Sequence, residues 1–178
     1  MRGLTTAELV RRFMVEFARP ARVPVSVFFT GGVTAVLHGW RETTIDVDLK
    51  LVPDSDEMLR EIPRIKEQLG INVELAAPDQ FIPEVPGWRE RSLFIVTEGS
   101  VSYFHYDPYA QALSKIERGH LQDAADVSEM LRGGLVEPVR LRELFERIEP
   151  ELFRYPAIDP PSFRRAVEEV VERYSPPS

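Results

Sequence analysis

Asp46-Val47-Asp48 places two carboxylates at alternate positions in TTIDVDLKL, residues 43–51. That segment alternates in polarity and reads as the clearest strand of the chain. Side chains two apart on a strand share a face, so the two acids project together, roughly 6.5–7 Å apart at the backbone. Ile45, Val47, Leu49 and Leu51 then point to the opposite, buried face. Carboxylates this close repel one another and resist full ionisation unless a cation lies between them. Oxygen ligands suit Mg²⁺ or Mn²⁺ rather than zinc. Upstream, Gly31-Gly32 follows a hydrophobic stretch and opens a helix. Such a turn presents backbone N–H groups at a positive helix end, where phosphate binds. Each feature has a plainer reading: an exposed strand face carrying two acids, and an ordinary connection. Together they are the parts of a phosphoryl- or nucleotidyl-transfer site.

Two further groups of residues bear on that chemistry. Glu74 stands between Val73 and Leu75 on the next expected strand, as a third acid or as a simple exposed one. Lys115 and Arg118 are three apart, on one face of a helix. Asp123 and Asp126 likewise share a face, from which they could orient either cation. A charged Lys suits phosphate, and Arg can grip two oxygens at once. The plainer alternative for these four is a salt-bridged helix surface.

The elements that would position these residues follow from the pattern. A helix is expected over 5–18, capped by Thr5 or Thr6 and presenting Leu9, Phe13 and Phe17 on one face. Strands are expected at 25–30, 43–51 and 71–76, and a strand pair at 91–96 and 100–106. Helices are expected at 33–39, at 54–69 closed by Gly70, and at 108–119, 121–132, 138–147 and 161–173. Residues 77–90, with three prolines, read as a loop. The order implies an α/β or α+β mixed-sheet core over 1–106 and a helical region over 107–178 packed on it.

Bulk properties narrow the function classes. Hydrophobic residues make up 43% of the 178, enough for a packed core. A net charge of −7 argues against broad gripping of nucleic acid. With no cysteine, disulfides and thiolate metal sites are excluded. The N-terminus reads as an amphipathic helix rather than a secretion signal, and no apolar run suits a membrane span. A cytoplasmic protein with no membrane partner is the expectation. His38, His105 and His120 lack metal-ligand spacing, and His105 reads as a core or edge residue. Trp40, Trp88 and Phe81 could stack a base or pack the core. Arg89–Arg91 is too small a basic stretch to make a nucleic-acid site.

Phe29-Thr30-Gly31-Gly32, thirteen residues, then Asp46-Val47-Asp48-Leu49 resembles the polymerase-beta superfamily of nucleotidyltransferases. That superfamily carries h-G-[G/S], a gap of about a dozen residues, D-h-[D/E]-h, and a third carboxylate on a neighbouring strand. Arg41-Glu42-Thr43-Thr44 resembles the R-x-T-x-D-x-D form of the segment. Asp107…Lys115…Arg118…Asp123-Ala-Ala-Asp126 resembles AbiEii-like toxin nucleotidyltransferases and the DUF6036 proteins grouped with them. The resemblance covers about residues 25–130. It implies a nucleotidyltransferase-type fold and a metal-dependent transfer of a nucleoside monophosphate from a nucleoside triphosphate to a hydroxyl. Asp46, Asp48 and Glu74 would hold two Mg²⁺ (or Mn²⁺), Gly31 and Gly32 the phosphates, and Lys115 with Arg118 the triphosphate. It further implies the toxin half of a toxin–antitoxin pair, with an antitoxin partner and an RNA end or protein hydroxyl as acceptor. Two rivals stand beside it: a catalytically inactive nucleotide-binding module of the same fold, and a protein-interaction module docking through its helical region.

Overall fold

The fold is mixed α/β, seen in a computed structural model that describes residues 3–178. The chain forms two compact units, residues 1–77 with 92–106, and residues 78–91 with 107–178. The loop expected at 77–90 therefore clusters with the helical unit rather than with the sheet. It holds a short 3-10 turn and a short helix instead of being structureless.

The first unit comprises β1 (Thr5–Thr6), α1 (Ala7–Ala18), β2 (Val25–Thr30), α2 (Gly32–His38), β3 (Thr43–Thr44), β4 (Asp46–Val52), α3 (Asp56–Leu69), β5 (Asn72–Leu75), β6 (Leu93–Glu98) and β7 (Val101–His105). Thr6 caps α1, its hydroxyl accepting the Leu9 N–H at 3.3 Å. Five strands form one sheet in the order β5-β4-β2-β7-β6. β2 runs antiparallel to β4 and parallel to β7; β4 runs parallel to β5, and β6 antiparallel to β7.

One face of that sheet carries Val27, Phe29, Val47, Leu49, Leu51, Val73, Val101 and Tyr103, all buried. Against them lie Val10, Phe13, Met14 and Phe17 of α1, and Met58, Ile65 and Leu69 of α3. Fully burying such a side chain contributes about 1.5–3 kcal/mol. The Tyr103 hydroxyl donates to Met14 O at 2.7 Å, joining the sheet to α1 while satisfying a buried polar atom.

The strand expected over 43–51 is interrupted. Ile45, expected in the core, is 69% exposed. The chain leaves its pairing with β1 at Thr44 and starts pairing with β2 and β5 further on. The joint residue belongs to neither ladder, so its side chain turns outward. From Asp46 onward the alternation holds, with Val47, Leu49 and Leu51 buried and Asp46, Asp48 and Lys50 half-buried on the other face.

The second unit comprises α4 (Trp88–Arg91), α5 (Pro108–Arg118), α6 (Leu121–Arg132), α7 (Pro138–Ile148) and α8 (Pro160–Tyr174). Proline starts three of these helices, where its missing N–H costs no hydrogen bond. Leu113, Met130, Leu141, Phe145, Phe163 and Val167 form its interior. Trp88, weighed above as a base-stacking residue, is buried here at 4% exposure, whereas Phe81 is 53% exposed. Arg91, at the end of the small basic stretch, turns inward. Its Nε and Nη2 donate to Asp107 Oδ2 at 3.1 and 2.7 Å, and its Nη1 to Pro86 O at 2.8 Å. Asp107 caps α5 by accepting the Tyr109 N–H at 3.0 Å. Burial pushes its carboxyl up, against the opposing pull of Arg91.

Candidate functional site

The acidic face is built by register. In the β4–β2 ladder Asp48 opposes Thr30, the last residue before the Gly31-Gly32 turn. In the parallel β4–β5 ladder Asp46 opposes Asn72 and Asp48 opposes Glu74. Because alternate residues share a face, Asp46, Asp48, Asn72 and Glu74 make a two-by-two array on the side away from the α1/α3 core. Glu74 is exposed, while the two aspartates are half-buried.

Both glycines are fixed by close approaches. Gly31 has φ +64°, on the side of the map that only glycine enters at low cost. A β-carbon there would lie 3.0 Å from Asp48 Oδ2. At Gly32 a β-carbon would fall 1.9 Å from Thr44 Oγ1 and 2.6 Å from Thr44 Cβ. The bare Cα thus lets the first turn of α2 press against β3. Arg41 Nη1 lies 3.3 Å from the same point, so its guanidinium stands at the glycine turn. Buried Thr44 donates from Oγ1 to Asp46 O at 3.2 Å, linking the glycine contact to the start of the acidic strand.

Whether these residues fit a divalent cation is decided by their donors. Asp46, Asp48 and Glu74 offer only carboxylate oxygens, the class that Mg²⁺ and Mn²⁺ take. The two aspartates of β4 fit as ligands on neighbouring positions of one face. Glu74 stands on that face too, but its Oε1 and Asp46 Oδ1 both accept from Asn72 Nδ2, at 3.0 and 2.6 Å. Among the described residues, no three His, Asp or Glu side chains are already drawn together into a metal-holding group. Asn72 is the member of the face that the sequence reading missed. Its position two before Glu74 was the available signal, since that spacing puts both on one side of a strand. Lys50, two after Asp48, is the next residue along the same face.

The four charged residues of the second unit come together as a neutral cluster. Lys115 Nζ donates to Asp126 Oδ2 at 2.9 Å and lies 3.6 Å from Asp123 Oδ1. Arg118 grips Asp123 with both Nε and Nη2, at 2.8 and 2.6 Å. Lys115, Asp123 and Asp126 are buried, whereas the Arg118 side chain is 57% exposed. Burial alone would raise the Asp123 carboxyl. The Arg118 hydrogen bonds and charge, with Lys115 beside it, overcome that and hold it below its usual range. The ammonium of Lys115 is therefore matched by two carboxylates within this unit.

His105 ends β7 on the core face. Its Nδ1 lies 3.1 Å from Thr34 Oγ1, and its ring centroid 4.4 Å from that of His38. His38 in turn stacks on Trp40 and places its Nδ1 2.9 Å from Thr34 O. Burial, helped by His38, pushes His105 down to about 3, so the ring is neutral near pH 7. This agrees with a core histidine.

Compared with known protein families, curated proteins and solved structures, the chain matches none. No helix among the described residues is long and apolar enough to cross a membrane.

Proposed function

We propose that the protein is a metal-dependent nucleotidyltransferase whose site is the acidic face of β4 and β5 beside the Gly31-Gly32 turn. One observation carries the reading: Gly31, at positive φ, faces the Asp48 carboxylate with no side chain between them. A phosphate held at the turn would be next to the acids that bind its counter-cation. When bound, Mg²⁺ or Mn²⁺ supplies the polarisation that activates a hydroxyl and steadies charge on departing pyrophosphate. Asp46 and Asp48 would hold it. Gly31 keeps the approach to Asp48 open, and Arg41 offers a fixed cation at the same turn.

The deciding experiment follows labelled nucleoside triphosphate into cell extract, with wild type and an Asp46→Asn/Asp48→Asn double variant. Label reaching a macromolecule with wild type alone supports transfer. Separating nucleic acid from protein then reports whether the acceptor is an RNA end or a protein hydroxyl. Equal labelling by the double variant removes the proposal.

A second reading has an observation of its own. Glu74 and Asp46 are tied through an amide, and Lys115 is matched by Asp123 and Asp126. A nucleotide-binding module without turnover would tolerate both features. Triphosphate binding by calorimetry, with no label transfer in any extract fraction, would favour it.

A further inference from the structure

A primary amide carries two N–H donors on one nitrogen. Asn72 directs that nitrogen at two carboxylates, Asp46 Oδ1 at 2.6 Å and Glu74 Oε1 at 3.0 Å. The first belongs to the neighbouring strand, the second to its own, two residues on. Two acids held so close repel, and an amide between them offsets part of that repulsion without adding net charge. The register leaves Asn72 as the residue opposite Asp46, so no other position on β5 can take this role for that acid.

We infer that Asn72 is a positioning residue of the acidic site, its amide holding the Asp46 and Glu74 carboxylates in place on the face that receives a divalent cation. The inference rests on reading that face as a cation site. Without the amide, Asp46 loses the donor that orients its carboxylate beside Asp48, and restoring that orientation becomes a cost of binding the cation. Partners that orient a metal ligand in this way commonly change affinity by on the order of tenfold or more when removed.

The test is Mn²⁺ titration of the full chain, followed by calorimetry and by the electron paramagnetic resonance of free and bound Mn²⁺. Four proteins are compared: wild type, Asp46→Asn/Asp48→Asn, Asn72→Ala and Asn72→Thr. Wild type should bind, and the double aspartate variant should not. Asn72→Ala should bind about tenfold more weakly, with an altered bound-Mn²⁺ spectrum and a near-unchanged melting temperature. Thr suits a strand and keeps one O–H donor, so Asn72→Thr should remain folded and fall between the two. Wild-type affinity and spectrum in both Asn72 variants would overturn the role of Asn72 while leaving the cation site standing. Absent wild-type binding, or equal binding by the double aspartate variant, would overturn the cation site and the role of Asn72 together.

Discussion

The Asp48 carboxylate occupies the space into which a side chain on Gly31 would grow: a β-carbon there lies 3.0 Å from Oδ2. The two residues are 17 apart in the sequence, and the antiparallel β2–β4 ladder brings them together by pairing Thr30 with Asp48. A turn that needs glycine for its backbone angle and an acid that needs the space beside it are thus met by one residue.

Replacing Gly31 with Ala should act twice. Positive φ with a β-carbon costs on the order of 1–3 kcal/mol, seen as a lower midpoint in urea unfolding. The added methyl also pushes Asp48 aside, so Mn²⁺ affinity should fall further than the stability loss accounts for. Unchanged Mn²⁺ affinity in folded Gly31→Ala would separate the glycine from the acid.

Gly32→Ala is expected to be worse for the fold. Its β-carbon would fall inside the Thr44 side chain, so α2 or β3 must move. A loss of at least about 2 kcal/mol is expected from such overpacking. Thr44→Gly in the same chain should recover part of it, because it removes both atoms that clash. Urea midpoints for the two singles and the double measure this recovery.

His105 makes stability depend on pH in a defined window. Its folded value is lowered to about 3, while the unfolded side chain titrates near its usual 6.5. The unfolded chain therefore takes up the proton first. Stability from this residue is complete above about pH 6.5 and declines as pH falls toward 3, by up to about 1.4 kcal/mol per pH unit. Asn at position 105 should flatten the urea midpoint across that window. A slope identical to wild type would place the effect elsewhere.

Lys115→Met should cost about 3–5 kcal/mol, because it removes the ammonium that faces the buried Asp126 carboxylate, while Asp123 keeps the Arg118 guanidinium. Adding Asp126→Leu should recover much of this in a double-mutant cycle. Asp123, held below its ordinary value, adds stability that is present above the unfolded carboxylate range and lost as pH falls through the folded value. Acid unfolding monitored by circular dichroism should shift to higher pH in Arg118→Ala, which releases that hold.

Much of the architecture was legible because periodicity and punctuation agree. The strand at 25–30 and the helices after residue 107 carry strong apolar patterns bounded by Gly or Pro, and they form as expected. The break at Ile45 was not legible. An alternating pattern says which residues share a face, not where a strand changes partners. The acid pair and glycine turn were visible as motifs. Asn72 was legible only as a residue two before Glu74 on the same face; that it faces Asp46, 26 positions away, is known only from the register of β4 with β5. The inward turn of Arg91 was hidden for the same reason: its partner Asp107 lies 16 residues on.

Pro78–Arg91 grouping with the helices means that the backbone passes from one unit to the other three times, after Ala77, after Arg91 and after Tyr106. No single cut separates them. A fragment ending at residue 106 would carry Ile82, Val85 and Trp88 without the helices they cluster with, and would invite aggregation. Anyone expressing the sheet alone should also replace residues 78–91 with a linker long enough to cross from one edge of the sheet to the other, because β5 and β6 are its two outer strands.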